Sequence, residues 1–220
     1  KLSLSSSDVD EVIKKRVLEK TQEAEDTLKM MYEKEESSIR NLVTFKNAAY
    51  QQVYDDAEDF ANTYPFIPYQ FKLLQDVFTA IRKSAFTGMH MSNGERNLIN
   101  AFQESAKANK DKEIGALIPF NCFYDTIETM MEPQITRVIN HANDLKNRDI
   151  LKQVDVDILK ILFLLKNIKE VPTNIDNIST LYVSNIKDDK IAIKNEVTEA
   201  LRRLEAQTLI QRNNDEYKFL

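Results

Sequence analysis

The stretch IAIKNEVTEALRRLEAQTLIQRNNDEYKFL, residues 191–220, decides the fold class of the C-terminal part of the chain. Its first half has the apolar spacing of an amphipathic helix, through about Gln207. Two short runs rich in β-forming residues follow, on either side of the polar residues NND at 213–215. This order is typical of a β-hairpin. The sequence therefore predicts a long helix followed directly by a hairpin.

Two further helices are predicted upstream of this element. The strongly apolar run DVDILKILFLLKNI, residues 155–168, predicts a buried helix. The segment 171–183 predicts a turn and a short helix with Asn174 as its N-cap. Three helices followed by a hairpin is the order of a winged helix, and we predict that domain over 151–220, with the hairpin tip at Asn213–Asn214. Nine apolar residues are predicted to be buried in it: Ile158, Ile161, Leu162, Leu165, Val197, Leu201, Leu204, Leu209 and Phe219.

Residues 1–150 are predicted to form a separate, helical domain. The 220 residues include only 3 glycines and 5 prolines, and 30% are charged, a composition typical of mainly α-helical proteins. The highly charged segment 22–38 predicts an exposed helix that forms a projecting hairpin with a helix over 50–62. Pro68 is predicted in the first turn of the following helix. The polar run KNRDILKQ, residues 146–153, is the predicted domain boundary.

Composition also bears on the compartment and on the kinds of site. No run approaches 18 apolar residues, so no membrane span is predicted. Cys122 is the single cysteine, which excludes an internal disulfide and favours a reducing, cytoplasmic location. With only His90 and His141 besides, no Cys/His zinc site is expected. Cys122 lies among aromatic residues, where a buried small hydrophobe is favoured over a nucleophile.

Arg96, in the stretch MHMSNGERNLINAFQ (89–103), is the candidate functional side chain. Ser92 and Glu95 have the spacing of a capping box at the start of a helix. Leu98 and Phe102 would then be buried on one face, and Arg96 would lie on the other. Two interpretations fit this pattern: a solvated arginine on a well-capped helix, or a guanidinium that binds an anion, since it can bond two phosphate oxygens at once.

Basic residues on or near the third helix and on the hairpin of the winged helix are candidate DNA contacts. In such folds the third helix can enter the major groove while the hairpin touches the backbone. However, residues 151–220 contain 11 basic and 11 acidic residues, and a neutral surface gains little affinity from counterion release. DNA contact and protein contact both remain as hypotheses. The candidate residues are Lys194, Arg202, Arg203, Arg212 and Lys218.

Three strings carry a resemblance to a known family: YPFIPYQFKLLQDVFTAIRK (64–83), SNGERNLINAFQESA (92–106) and LIPFNCFYDTIE (117–128). Together with the winged helix that follows, they resemble the BrxC family of P-loop ATPase subunits from bacterial BREX phage-defence systems. The similarity covers nearly the whole chain and is most specific over 64–106. Members are large AAA+-type ATPases. The resemblance implies that this chain is the helical lid and winged helix that follow the catalytic core.

The resemblance also implies a role for Arg96 and a set of partners. In AAA+ relatives an arginine near the start of a lid helix contacts the γ-phosphate, and GER at 94–96 resembles that placement. The full-length protein would bind ATP and Mg²⁺ and could form homo-oligomers. Its expected partners are the ATPase core, other defence-system subunits and double-stranded DNA.

The chain itself contains no G-x-x-x-x-G-K-[ST] phosphate loop, so we expect it to hold no cofactor and to hydrolyse no ATP alone. It begins with Lys1 rather than Met, and we expect it to be a piece of a longer protein. Two alternatives to the ATPase segment are a stand-alone nucleic-acid-binding module without ATP coupling and a purely structural interaction segment. A phosphate loop upstream of Lys1 would distinguish the first hypothesis from both.

Overall fold

The computed structural model describes residues 6–49, 51–83 and 94–220. Within them the chain is mainly helical and ends in an antiparallel β-hairpin, as predicted. A π-helical turn, Ile13–Val17, continues the first helix. None of the described helices combines the length and the apolar character needed to cross a bilayer. The elements are α1 (Ser6–Val12), α2 (Gln22–Val43), α3 (Ala57–Thr63), α4 (Pro68–Lys83), α5 (Gly94–Ala108), α6 (Cys122–Glu128), α7 (Pro133–Asn147), α8 (Gln153–Leu164), α9 (Ile175–Tyr182), α10 (Lys190–Ala206), β1 (Ile210–Asn213) and β2 (Glu216–Phe219).

Helix α2 packs against α3, as expected for the predicted helical hairpin, and most of its residues 22–38 are exposed or half-buried. Leu28 and Tyr32 on its apolar stripe are both buried, and the Tyr32 ring stacks on Phe60 of α3 with 5.0 Å between centroids. The helix predicted over 50–62 is shorter than expected. Helix α3 starts at Ala57 because the Asp56 carboxylate accepts a hydrogen bond from the backbone N–H of Asp59, 2.8 Å away, which caps the helix there.

Aromatic rings fill the core next to α4 and α5. Phe102 stacks on Phe71 at 4.6 Å and meets the edge of Phe66 at 4.7 Å, and Phe123 of α6 lies 5.1 Å from it. Offset and edge-on ring pairs of this kind stabilise a core beyond the area they bury. Helix α4 begins at Pro68, as predicted, because a proline in the first turn sacrifices no intrahelical hydrogen bond.

The C-terminal elements confirm the predicted order of three helices and a hairpin. All nine residues predicted to be buried are buried. Asn174 accepts a hydrogen bond from the N–H of Asn177 at 2.9 Å and caps α9, as expected. The hairpin turn lies one residue later than predicted, at Asn214–Asp215, and Asn214 has a φ of 57°, a left-handed conformation that asparagine tolerates.

Thr173, which lies just before α9, is hydrogen-bonded to the edge of the hairpin. The N–H of Tyr217 in β2 donates to the carbonyl of Thr173 at 3.0 Å, and the Thr173 hydroxyl donates to the Tyr217 carbonyl at 2.6 Å. The segment between α8 and α9 is thereby bonded to β2.

Hydrogen bonds join the chain before residue 150 to the chain after it. The carbonyl of Gly115 accepts from Ile186 at 2.9 Å, and the N–H of Leu117 donates to Ser184 at 2.8 Å. The Asn177 side chain bonds to both backbone groups of Lys46. The buried apolar residues of the two parts form one continuous cluster. The polar run at 146–153 therefore does not separate two hydrophobic cores.

Candidate functional site

Helix α5 presents Arg96 to solvent. Leu98 and Phe102 of this helix are buried, whereas Arg96, Asn100 and Gln103 are exposed. This is the amphipathic arrangement that the sequence predicts. Ser92, the predicted cap, lies outside the described residues.

The guanidinium of Arg96 has no hydrogen bond or ion pair with any residue in the described ranges 6–49, 51–83 and 94–220. A second arginine lies near the start of the same helix. The Arg82 guanidinium at the end of α4 packs directly against Gly94, where an added Cβ would lie 2.5 Å from one of its nitrogens. The first turn of α5 is thus close to at least one guanidinium that sequence reasoning had not singled out. Such a surface can attract an anion.

Arg203 of α10 is half-buried and forms a bidentate ion pair with a buried carboxylate. Its Nε and one terminal nitrogen donate to the two oxygens of Asp155, at 2.8 and 2.7 Å. Asp155 has no exposed surface, and it also accepts the N–H of Lys152 at 2.8 Å at the start of α8. These bonds raise the pKa of Arg203 above its ordinary value. The guanidinium therefore joins α10 to α8, and a DNA phosphate would have to compete with this ion pair.

The other two candidate cations of α10 are also paired. Lys194 forms an ion pair with Asp176 of α9, and its hydrogen bond lowers the pKa of that carboxyl, with Lys46 adding to the effect. Arg202 pairs with Glu199 on the next turn. The outward face of α10 bears three exposed carboxylates and one exposed guanidinium, that of Arg202. The carboxylates are Glu196, Glu199 and Glu205.

The hairpin holds the last two candidates, Arg212 and Lys218. The Arg212 Nε donates to the carbonyl of Asn214 at 2.7 Å, and its guanidinium lies 5.7 Å from the centroid of the Tyr217 ring. The Arg212 side chain thus packs against the hairpin turn. Lys218 is exposed on β2, opposite Gln211. The structure places these two on the hairpin surface, whereas Arg203 is half-buried and paired with Asp155.

Lys190 is a structural residue that sequence reasoning missed. Its Nζ donates to the carbonyl of Leu42 at 2.8 Å, at the C-terminal end of α2, and to the hydroxyl of Thr180. Burial, and to a smaller extent the charge of Lys194, lower the pKa of Lys190 to about 8, although the Asp176 carboxylate opposes the shift. A cation is favoured at a helix C-terminus. No local pattern could have revealed this bond, because 148 residues separate its partners.

Cys122 packs against the apolar core but is less buried than predicted. Cys122 is half-buried, and burial raises the pKa of its thiol, which favours the neutral form over a nucleophilic thiolate. His141 is exposed. Among the described residues, no group of three histidine, cysteine or carboxylate side chains is arranged to hold a metal ion.

Comparison with known proteins finds no family model that matches the chain and no solved structure that matches it. We therefore infer function from the geometry of α5, α10 and the hairpin.

Proposed function

We propose that this chain is the non-catalytic helical lid and winged helix of a BREX-type AAA+ ATPase, and that its winged helix contacts protein rather than DNA bases. The sequence resemblance over 64–128 supports the family. The observation that carries the choice between protein and DNA is the outward face of α10, which is acidic.

The element order supports a winged helix. Helices α8, α9 and α10 precede the hairpin, and two hydrogen bonds between Thr173 and Tyr217 join the chain before α9 to its edge. In this fold α10 would occupy the position of the helix that enters the major groove of DNA. The charges on α10 therefore determine whether this helix suits DNA or a protein partner.

Those charges oppose DNA. Duplex DNA carries about one negative charge per 1.7 Å of its axis, and binding requires cations that can replace its counterions. Helix α10 offers Glu196 and Glu199 on its outward face, and its arginines are both paired with carboxylates. A protein partner fits this face better. Ile191, at the start of α10, is 71% exposed and could be covered by such a partner.

The proposed role of Arg96 is to contact the γ-phosphate when the lid closes on the ATPase core. Its exposure on the first turns of α5 and its lack of a partner among the described residues support this role. A guanidinium beside the transferring phosphate stabilises the charge of the transition state.

The protein-contact proposal is tested by Ile191→Asp in the longer ATPase. Sedimentation velocity should show a shift from the assembled species to smaller ones, because a charge is placed in an apolar contact. Met30→Asp on α2 is the matched control, since Met30 is 70% exposed, and it should leave the assembly unchanged. If both variants assemble like the wild type, α10 does not contact a partner through Ile191.

The sensor proposal is tested by Arg96→Ala in the same protein. We expect ATP turnover to fall by roughly a hundredfold or more, in line with phosphate-contacting arginines. The change should lower the free energy of unfolding by less than about 1 kcal/mol, because Arg96 lies on the surface. Gln103→Ala, at another exposed position of α5, is the control and should retain turnover. Full turnover in Arg96→Ala would show that Arg96 is only a solvated surface residue and does not contact the γ-phosphate.

A further inference from the structure

A groove of about 440 Å³ lies at the end of α5 remote from Arg96. It is formed where the loop after the π-helical turn, the Tyr64–Pro65 segment and residues 109–118 meet. Helix α5 has 15 residues, so the groove lies roughly 20 Å from the start of that helix. It is separate from both surfaces described above.

The groove has an apolar wall and a charged rim, in which three lysines outnumber one carboxylate, that of Glu19. Leu18, Pro65 and Ile118 contribute to the wall, and Lys20, Lys110 and Lys112 are its lysines. None of these three ammonium groups forms an ion pair with a carboxylate in the described part of the chain. Apolar surface beside convergent polar groups is the usual composition of a small-molecule site, and the volume lies in the usual range.

Lys20 is the lysine whose position needs an explanation. It is half-buried, and its Nζ donates to the carbonyl of Leu18 at 2.8 Å. Burial lowers the pKa of Lys20 to about 8, and Glu25 only partly opposes this. Lys20 also directly precedes Thr21, the N-cap of α2. A cation is disfavoured at that end of a helix.

Lys110 and Lys112 alone would not indicate a site. They follow the C-terminal end of α5, where the helix dipole favours cations in any protein. That explanation does not extend to Lys20, which comes from a different segment and is half-buried there, where the nearby Glu25 carboxylate offsets the loss of hydration only in part. A bound anion would supply the remaining counter-charge, and it would at the same time contact Lys110 and Lys112.

We propose that this groove binds a small phosphorylated molecule, with its phosphate between Lys20, Lys110 and Lys112 and its apolar body against Leu18, Pro65 and Ile118. A phosphate group suits three ammonium groups because it is multiply charged and has several acceptor oxygens. The apolar wall favours a phosphate ester over a free inorganic ion. This binding is independent of the function proposed for Arg96 and for α10.

Calorimetry with two matched probes tests the proposal. Inorganic phosphate and phenyl phosphate carry similar charge near neutral pH, but only phenyl phosphate has an apolar body. We expect phenyl phosphate to bind the chain at least tenfold more tightly. Lys20→Gln should weaken that binding tenfold or more, and Lys110→Gln with Lys112→Gln should do the same. Lys169→Gln, an exposed lysine that does not line the groove, should have no effect.

Proton uptake gives a second readout specific to Lys20. At about pH 9 its amine is mostly neutral, and pairing with an anion would return the proton, so phenyl phosphate should bind with net proton uptake. The other titratable groups that line the surfaces around Lys20 are Asp10, Glu11, Lys14, Lys15, Arg16, Glu19, Glu25, Tyr64, Lys110 and Lys112. They remain in Lys20→Gln, in which the uptake should be lost.

Three results would overturn the proposal. The first is no binding of phenyl phosphate, and the second is wild-type affinity in Lys20→Gln when circular dichroism shows that this variant is folded. The third is a 20-base-pair DNA duplex that binds through the same lysines while phenyl phosphate does not, which would assign the groove to a nucleic-acid backbone.

Discussion

Helices α5 and α10 are both amphipathic and both carry arginine and glutamate. Their arginines, Arg96 and Arg203, nevertheless have different surroundings in the structure. Arg203 of α10 makes two hydrogen bonds to a carboxylate that is 48 residues away in the sequence and has no exposed surface. Arg96 of α5 is exposed and has no partner among the described residues. A count of basic residues along a helix therefore does not reveal which of them a ligand can contact. The position of the carboxylates in the fold decides that.

The largest effect on stability is expected from Arg203→Ala. The change leaves the Asp155 carboxylate buried without its cation, and removing one partner of a buried pair destabilises strongly. We expect the free energy of unfolding to fall by about 3 kcal/mol, measured by urea denaturation. A loss no larger than that of Arg202→Ala, on the same helix, would show that Arg203 is as dispensable as a surface residue.

A smaller, pH-dependent effect is expected from Lys190→Met. The pKa of Lys190 is about 8 in the folded chain and has its ordinary value of 10.5 in the unfolded chain. Between these values the unfolded chain binds more protons, so stability rises with pH; below pH 8 both states are protonated and the contribution is constant.

Relative to Lys190→Met, the wild type should therefore gain about 2 kcal/mol of unfolding free energy between about pH 7.5 and 9.5. Lys20 and the tyrosines titrate in both proteins, so their effects cancel in the difference. If the difference in unfolding free energy between the two proteins stays constant with pH, burial does not lower the pKa of Lys190.

The smallest effect is expected from Arg202→Ala. Arg202 and Glu199 are both more than half exposed and form an ion pair one turn apart on α10. Exposed pairs of this kind contribute little, so urea denaturation should show a change of less than about 0.5 kcal/mol. The remaining difference should vanish in about 1 M salt, because salt screens exposed charges. A loss comparable to that of Arg203→Ala would remove the distinction between the two neighbouring arginines.

The order of elements and the buried faces could be predicted from the sequence because they follow from local apolar spacing. The nine buried residues of the C-terminal part, the cap at Asn174 and the start of α4 at Pro68 are all of this kind. Even the error at α3 was local, since the Asp56 cap starts that helix later than the apolar pattern suggested.

The pairing of the site residues could not be predicted in the same way. Arg203 was a candidate DNA contact because it lies on a helix with other cations. Its bond to Asp155, like that of Lys190 to Leu42, joins segments far apart in the sequence. Such bonds depend on how α2, α8 and α10 pack together, and no spacing within α10 encodes that packing. The same holds for the groove at Lys20, whose lysines come from two separate segments.

Fluorescence anisotropy with a labelled 20-base-pair duplex shows whether α10 and the hairpin bind DNA. At physiological salt we predict dissociation constants no tighter than about 10 µM for the wild type, within the range of non-specific contact. Arg202→Ala and Lys218→Ala should leave that weak binding unchanged within about twofold. Submicromolar binding that both substitutions abolish, with a steep dependence on salt, would contradict the account.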